Sequence, residues 1–172
     1  MITPPDRSEF AEYYLTYVSK VPTGDIRDIL AAQSQETLTL FRSVSDQQSL
    51  HRYAPDKWSI REVASHINDT ERVFGFRAFW FARGCGEELP SFDQDVAVAG
   101  SGADARTWQS HIGEFEAVRS ATLAFWNSLS AGAWDRRGVA SGNPFTVRSL
   151  AWITAGHVAH HARLLRERYL GS

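Results

Sequence analysis

Four long stretches of this sequence repeat their apolar residues at the 3.6-residue period of an amphipathic helix, and almost nothing alternates with the period of two that a half-buried strand needs. Helices patterned this way bury their apolar stripes against one another, so the expected class is all-α and the expected architecture a four-helix bundle.

A short helical lead is expected around residues 9–18. The Pro22-Thr23-Gly24 turn then opens the first long helix, over 23–44, with Ile26, Ile29, Leu30, Leu38 and Phe41 as its stripe. The second has the clearest start. Ser59 followed by Glu62 matches a capping box, after which Ile60, Val63, Ile67, Phe74, Ala78 and Phe81 keep helical spacing until Gly84 and Gly86 end it. A third helix is expected over 104–129, carrying Trp108, Ile112, Phe115 and Trp126, and a fourth over 146–170, carrying Val147, Leu150, Ile153 and Leu164. Residues 84–103, with Pro90 and Phe92-Asp93-Gln94-Asp95, read as a long loop between the second and third helices; loops of that length often wall a site. Residues 131–145, with Gly132, Gly138, Gly142 and Pro144, read as a second connector.

The chain of 172 residues suits a single domain with its own core. A net charge of −2 provides no basic field for a phosphate backbone, so nucleic acid is not an expected partner. No apolar run reaches the roughly 18 residues of a membrane span, and the first ten residues lack the basic and apolar regions of a signal peptide. With Cys85 alone, no internal disulfide can form, which suits a reducing, cytoplasmic setting. Cys85 itself reads as an incidental loop residue. Arg163, Arg166 and Arg168 fall in the last turns of the fourth helix, where cations complement the helix dipole.

Three histidines carry the chemistry. His66 lies two turns inside the second helix, and His157 and His161 stand four apart on the fourth. An i, i+4 pair shares one face about one turn, roughly 6 Å, apart, so two imidazoles can converge on one ion. A third from a facing helix completes a three-nitrogen site with coordination positions left open, the catalytic rather than the structural kind. His160 also faces the side of His157, and the spacing only mildly favours His161 over it. His51 and His111 read as surface or supporting groups. Asp69 either accepts the second N–H of His66 or faces solvent, and Glu71 and Arg72 are read in the same way. Asp93 and Asp95 either reach the open side of the ion or cap the next helix, the commoner use of loop carboxylates.

Trp58-Ser59-Ile60-Arg61-Glu62-Val63 leading to His66-Ile67-Asn68-Asp69-Thr70-Glu71-Arg72-Val73, then Phe92-Asp93-Gln94-Asp95, then Ala155-Gly156-His157-Val158-Ala159-His160-His161 form an ordered set of motifs. In that order they resemble the DinB-like superfamily of metal-binding four-helix bundles, also called the damage-inducible or YfiT-type family, over residues 23–170. The resemblance implies an up-down-down-up bundle in which His66, His157 and His161 bind a divalent metal, nickel or zinc, and it selects His161 over His160 by analogy. It also implies activities such as S-transfer from bacillithiol or mycothiol, mycothiol-dependent isomerisation or hydrolysis, and a homodimer. Arg77 is similar to a recurrent basic position that would bind a substrate carboxylate. The family name refers to induction by DNA damage and implies no contact with DNA. Two function classes follow. One is an enzyme whose ion lowers the pKa of a small thiol or a water; the other is a non-catalytic, metal-stabilised binding or stress-response module.

Overall fold

In the computed structural model, which describes residues 1–171, every long helix begins at a side chain that satisfies an otherwise orphaned amide. The N-terminal lead is a pair of 3-10 turns, Arg7–Glu9 and Glu12–Tyr14, running into the single-turn helix α1, Leu15–Val18. Asp25 accepts from the Arg27 amide and starts α2, Ile26–Arg42, three residues later than the turn at Gly24 suggests. Ser59 and Glu62 form the expected capping box at the head of α3, Ile60–Ala82.

The segment 84–103 is not the irregular loop expected. Asp93 accepts from the amides of Asp95 and Val96 and thereby opens a short helix, α4, Gln94–Gly100. A separate 3-10 turn, Ala103–Ala105, follows, and Arg106 returns to extended backbone; Thr107 therefore caps α5, Trp108–Asn127, which starts four residues after the expected position. The connector 131–145 holds a strand pair that the sequence reading missed. Strands β1, Arg137–Ala140, and β2, Asn143–Thr146, pair antiparallel in the register Ala140↔Asn143 to Arg137↔Thr146. Ser141 and Gly142 between them both take left-handed φ, 55° and 71°, the two-residue turn whose twist matches a hairpin. Thr146 then caps α6, Val147–Leu164, and the chain continues as a π-helical stretch, Leu165–Leu170.

Packing around the bundle departs from chain order. α3 lies against α5 and α6, and α2 also lies against α5 and α6, so α2 and α3 are diagonal partners. Residue pairs fix the directions. Arg61 reaches the carbonyl of Arg106 and Glu71 meets Arg119, so α3 and α5 run parallel. Phe41 packs on Trp108 while the Leu30 carbonyl accepts from Arg119, so α2 and α5 are antiparallel. His66 meets His157 and His161 near the start of α3, which makes α3 and α6 antiparallel. The order is up-down-down-up.

Two apolar clusters fill the interior. One, including Ile26, Leu30, Phe81, Trp126 and Trp152, occupies the end bearing the hairpin. The other, including Phe41, Ile67, Phe115, Val158 and Leu165, occupies the opposite end. Two glycines permit close approaches: a Cβ on Gly138 would lie 2.0 Å from the Phe81 ring, and one on Gly156 would lie 2.1 Å from the carbonyl oxygen of Tyr17. Gly156 therefore lets α1 seat directly on α6, one residue before His157.

Candidate metal centre

His66 projects from the first half of α3, and His157 and His161 project from adjacent turns of antiparallel α6, so the three rings meet between the two helices. All three are buried. The Nε2 of His157 lies 2.9 Å from that of His66 and 3.1 Å from that of His161. Two nitrogens each about 2.1 Å from one ion stand roughly 3.0 Å apart at a right angle and roughly 3.4 Å apart at a tetrahedral angle, so this spacing suits a shared cation.

The electrostatics agree. Burial, helped by the charge of His160, pushes the His66 imidazole down to about 4. Burial and the neighbouring imidazoles hold His157 and His161 well below the ordinary range. A neutral imidazole carries one N–H and one lone pair, so the facing Nε2 atoms either share a hydrogen bond, set by the tautomers, or turn their lone pairs together onto one cation. The buried Nδ1 of His161 has no hydrogen-bond partner in the described residues, while that of His66 lies 3.4 Å from the Thr70 hydroxyl. A donor set of imidazole nitrogens fits a divalent transition-metal ion.

A cavity of about 190 Å3 opens beside the rings, with His66 and His157 in its wall. Tyr17 stands edge-on to His157, with ring centroids 5.4 Å apart, and Phe74 approaches the same ring at 6.1 Å. Trp58 packs against His66 at 4.9 Å. Thr70, Arg77, Ser141 and Gln94 supply the polar part of the wall. Arg77 is buried, and its Nη2 donates to the Pro90 carbonyl at 3.2 Å and to the Ser141 hydroxyl at 2.8 Å.

Other residues singled out in the sequence are placed elsewhere. His160 is half-buried, with its ring 5.7 Å from Tyr17 and 5.0 Å from His161, and it does not join the convergent group. Asp69 pairs with Arg72 at 3.1 Å, and Thr70 rather than Asp69 stands beside His66. Glu71 turns away into the bundle and pairs with Arg119. Asp93 caps α4 and Asp95 is exposed; Phe92 and Gln94, their neighbours, line the cavity instead. His111 is fully buried, which overturns the surface alternative of its reading, and its Nε2 meets the Ala103 carbonyl at 3.0 Å. Cys85 is half-buried outside the cavity.

The sequence reading also missed wall residues. Tyr13, Tyr14 and Tyr17 come from the N-terminal lead and Ser141 from the hairpin turn. The Tyr13/Tyr17 pair, one helical turn apart, was the available signal, and the two hydroxyls lie 3.3 Å apart.

Among the described residues, no helix is long and apolar enough to cross a membrane. Curated proteins provide no significant match. Solved structures that share the fold include the following two. YfiT from Bacillus subtilis, described as a probable metal-dependent hydrolase with an unusual four-helix bundle topology, aligns over 95% of this chain and 91% of its own at 16% identity, with a TM-score of 0.63. The mycothiol-dependent maleylpyruvate isomerase aligns over 85% of this chain at 12% identity, with a TM-score of 0.70, and the match spans 61% of that longer protein. The sequence model of the DinB superfamily matches residues 29–165, most of the bundle, and the chain belongs to that superfamily.

Proposed function

We propose that this protein is a divalent-metal-dependent enzyme acting on a small molecule, with His66, His157 and His161 as the ligands of a nickel or zinc ion. The observation that carries the reading is the convergence of three buried imidazoles, two of which, His66 and His157, stand in the wall of a small cavity. A bound ion there would supply Lewis acidity, lowering the pKa of a thiol or water that reaches it.

The chain's own residues do the remainder. Burial keeps the ring nitrogens unprotonated and available. Tyr17, Phe74 and Trp58 exclude water from the rings, which strengthens every electrostatic interaction inside. Arg77 offers a fixed cation to a substrate carboxylate. The favoured reaction is S-transfer from a low-molecular-weight thiol: the thiol releases its proton to solvent, its sulfur bonds to an electrophilic carbon, and the leaving group departs with the electron pair of the broken bond and takes up a proton from solvent. The mycothiol dependence of one structural neighbour supports a thiol partner, and the hydrolase description of the other supports water as the alternative nucleophile.

Metal-loaded protein, supplied with mycothiol, bacillithiol or no thiol and a generic electrophile such as a chloronitrobenzene or an activated ester, tests the proposal. Turnover that disappears in His157→Ala is expected. Equal rates for wild type and His157→Ala with every nucleophile would leave only a metal-stabilised binding or stress-response module.

A further inference from the structure

The imidazole nitrogens that face one another are the Nε2 atoms, so an ion held there leaves each ring with its hydrogen on Nδ1, and that hydrogen needs an acceptor. For His161 the buried Nδ1 has no partner among the described residues. For His66 the Thr70 hydroxyl stands 3.4 Å away. Thr70 follows His66 by one turn of α3, and because helical side chains lean toward the N-terminus, a hydroxyl at that spacing reaches back over the earlier ring.

Other threonines within the helices use their hydroxyls differently. Thr39 and Thr154 donate to the carbonyls of Gln35 and Leu150, four residues back, each at 2.8 Å. The Thr70 hydroxyl has one partner among the described residues, and it is the His66 ring. Thr70 is buried and, like His66, stands in the cavity wall. The carboxylates beside it in sequence are committed elsewhere, Asp69 to Arg72 at 3.1 Å and Glu71 to Arg119 at 2.8 Å. The ring of His66 is thus packed against Trp58, with centroids 4.9 Å apart, and met at its outer nitrogen by Thr70.

We infer that Thr70 is a positioning residue of the metal centre: its hydroxyl accepts the Nδ1 hydrogen of His66 and holds that ring with the Nε2 lone pair turned toward His157 and His161. The inference rests on the proposed function for the presence of an ion, and it deepens that reading by naming what orients the one ligand on α3. A hydroxyl is a neutral acceptor, so it orients the ring without the rise in ligand basicity that a carboxylate brings, and an ion bound there keeps more of its Lewis acidity.

Zinc titration of the full chain in competition with a chromophoric chelator, for wild type, Thr70→Val and Thr70→Ser, tests it. Valine keeps the shape of threonine and loses the hydroxyl; it should weaken zinc binding by about tenfold, the lower end of what supporting partners of metal-bound histidines contribute. Serine restores the hydroxyl and should bring the affinity back to within about threefold of wild type, a rescue that lost packing would not show. Proton–nitrogen NMR of the zinc-loaded wild type gives a reading that needs no variant to fold: the Nδ1 hydrogen of His66 should lie downfield of that of His161, which has no acceptor among the described residues. Equal zinc affinity in Thr70→Val and wild type, a serine variant as weak as the valine one, or a His66 Nδ1 hydrogen no further downfield than that of His161 would overturn the role of Thr70 and leave the metal centre standing. No zinc uptake by wild type would overturn the proposed function and this role with it.

Discussion

A histidine inside a helical bundle is charged only if something compensates for lost water, and here nothing does. His66, His157 and His161 are held neutral by burial and by one another, which is the state in which an imidazole can donate a lone pair. His111 follows the same rule away from the centre. Burial, with smaller contributions from Arg106 and Arg61, lowers it below 6.5, and the bond to Ala103 and the charge of Glu114 offset only part of that. As pH falls below 6.5 the unfolded chain takes up a proton that the folded chain refuses, so stability declines. His111→Gln keeps a donor for Ala103 but cannot titrate. Its stability deficit against wild type should therefore shrink on acidification, by at most about 1.4 kcal/mol per pH unit. Urea unfolding at successive pH values reads this, and parallel profiles for the two proteins would show that His111 is not held neutral.

At the scale of elements, the site is a joint product of long helices and short ones. α3 and α6 supply the imidazoles, while α1, the turn at Ser141 and the start of α4 supply the cavity wall. The long helices were legible because a stripe of apolar residues over five turns overrides local exceptions. The short elements were not. Strands of four residues carry too little alternation to register, and Gly138, Gly142 and Pro144 look like a connector until β1 pairs with β2. Tyr14, Tyr17 and Ser141 reach the cavity only through long-range packing, which no local pattern encodes; the histidine pair on α6 announces itself because its spacing is local. The seat of α1 on α6 depends on Gly156. Gly156→Ala sets a Cβ against the Tyr17 backbone and should cost about 1–3 kcal/mol while loosening the lead toward proteolysis. Unchanged stability and unchanged cleavage in the lead would contradict that seat.

Across the whole molecule, one polar group ties the bundle together between its two apolar clusters. Arg119 on α5 donates to both carboxylate oxygens of Glu71 on α3, at 2.9 and 2.8 Å, and to the Leu30 carbonyl and Gln33 side chain on α2, each at 3.1 Å. Gln33 in turn donates to the Ala155 carbonyl of α6 at 2.8 Å. All four long helices meet there, which fixes their relative heights and thereby the height at which His66 faces His157. The sequence reading weighed Glu71 beside the imidazole and passed over Arg119, because a pair separated by 48 residues becomes visible only when the ring order of helices is known. Glu71→Gln should cost about 3–5 kcal/mol, since it leaves Arg119 buried and uncompensated, whereas Glu71→Leu with Arg119→Met should recover most of that loss. Denaturant midpoints decide it, and a cost under about 1 kcal/mol for Glu71→Gln would mean that water reaches the pair. The central claim, that one cation is shared between α3 and α6, is most directly tested by metal content per chain after purification and dialysis, for wild type and for His66→Ala. The account predicts one divalent ion per wild-type chain and none in the variant; equal metal in both, or no retained metal in wild type reconstituted with nickel or zinc, would contradict it.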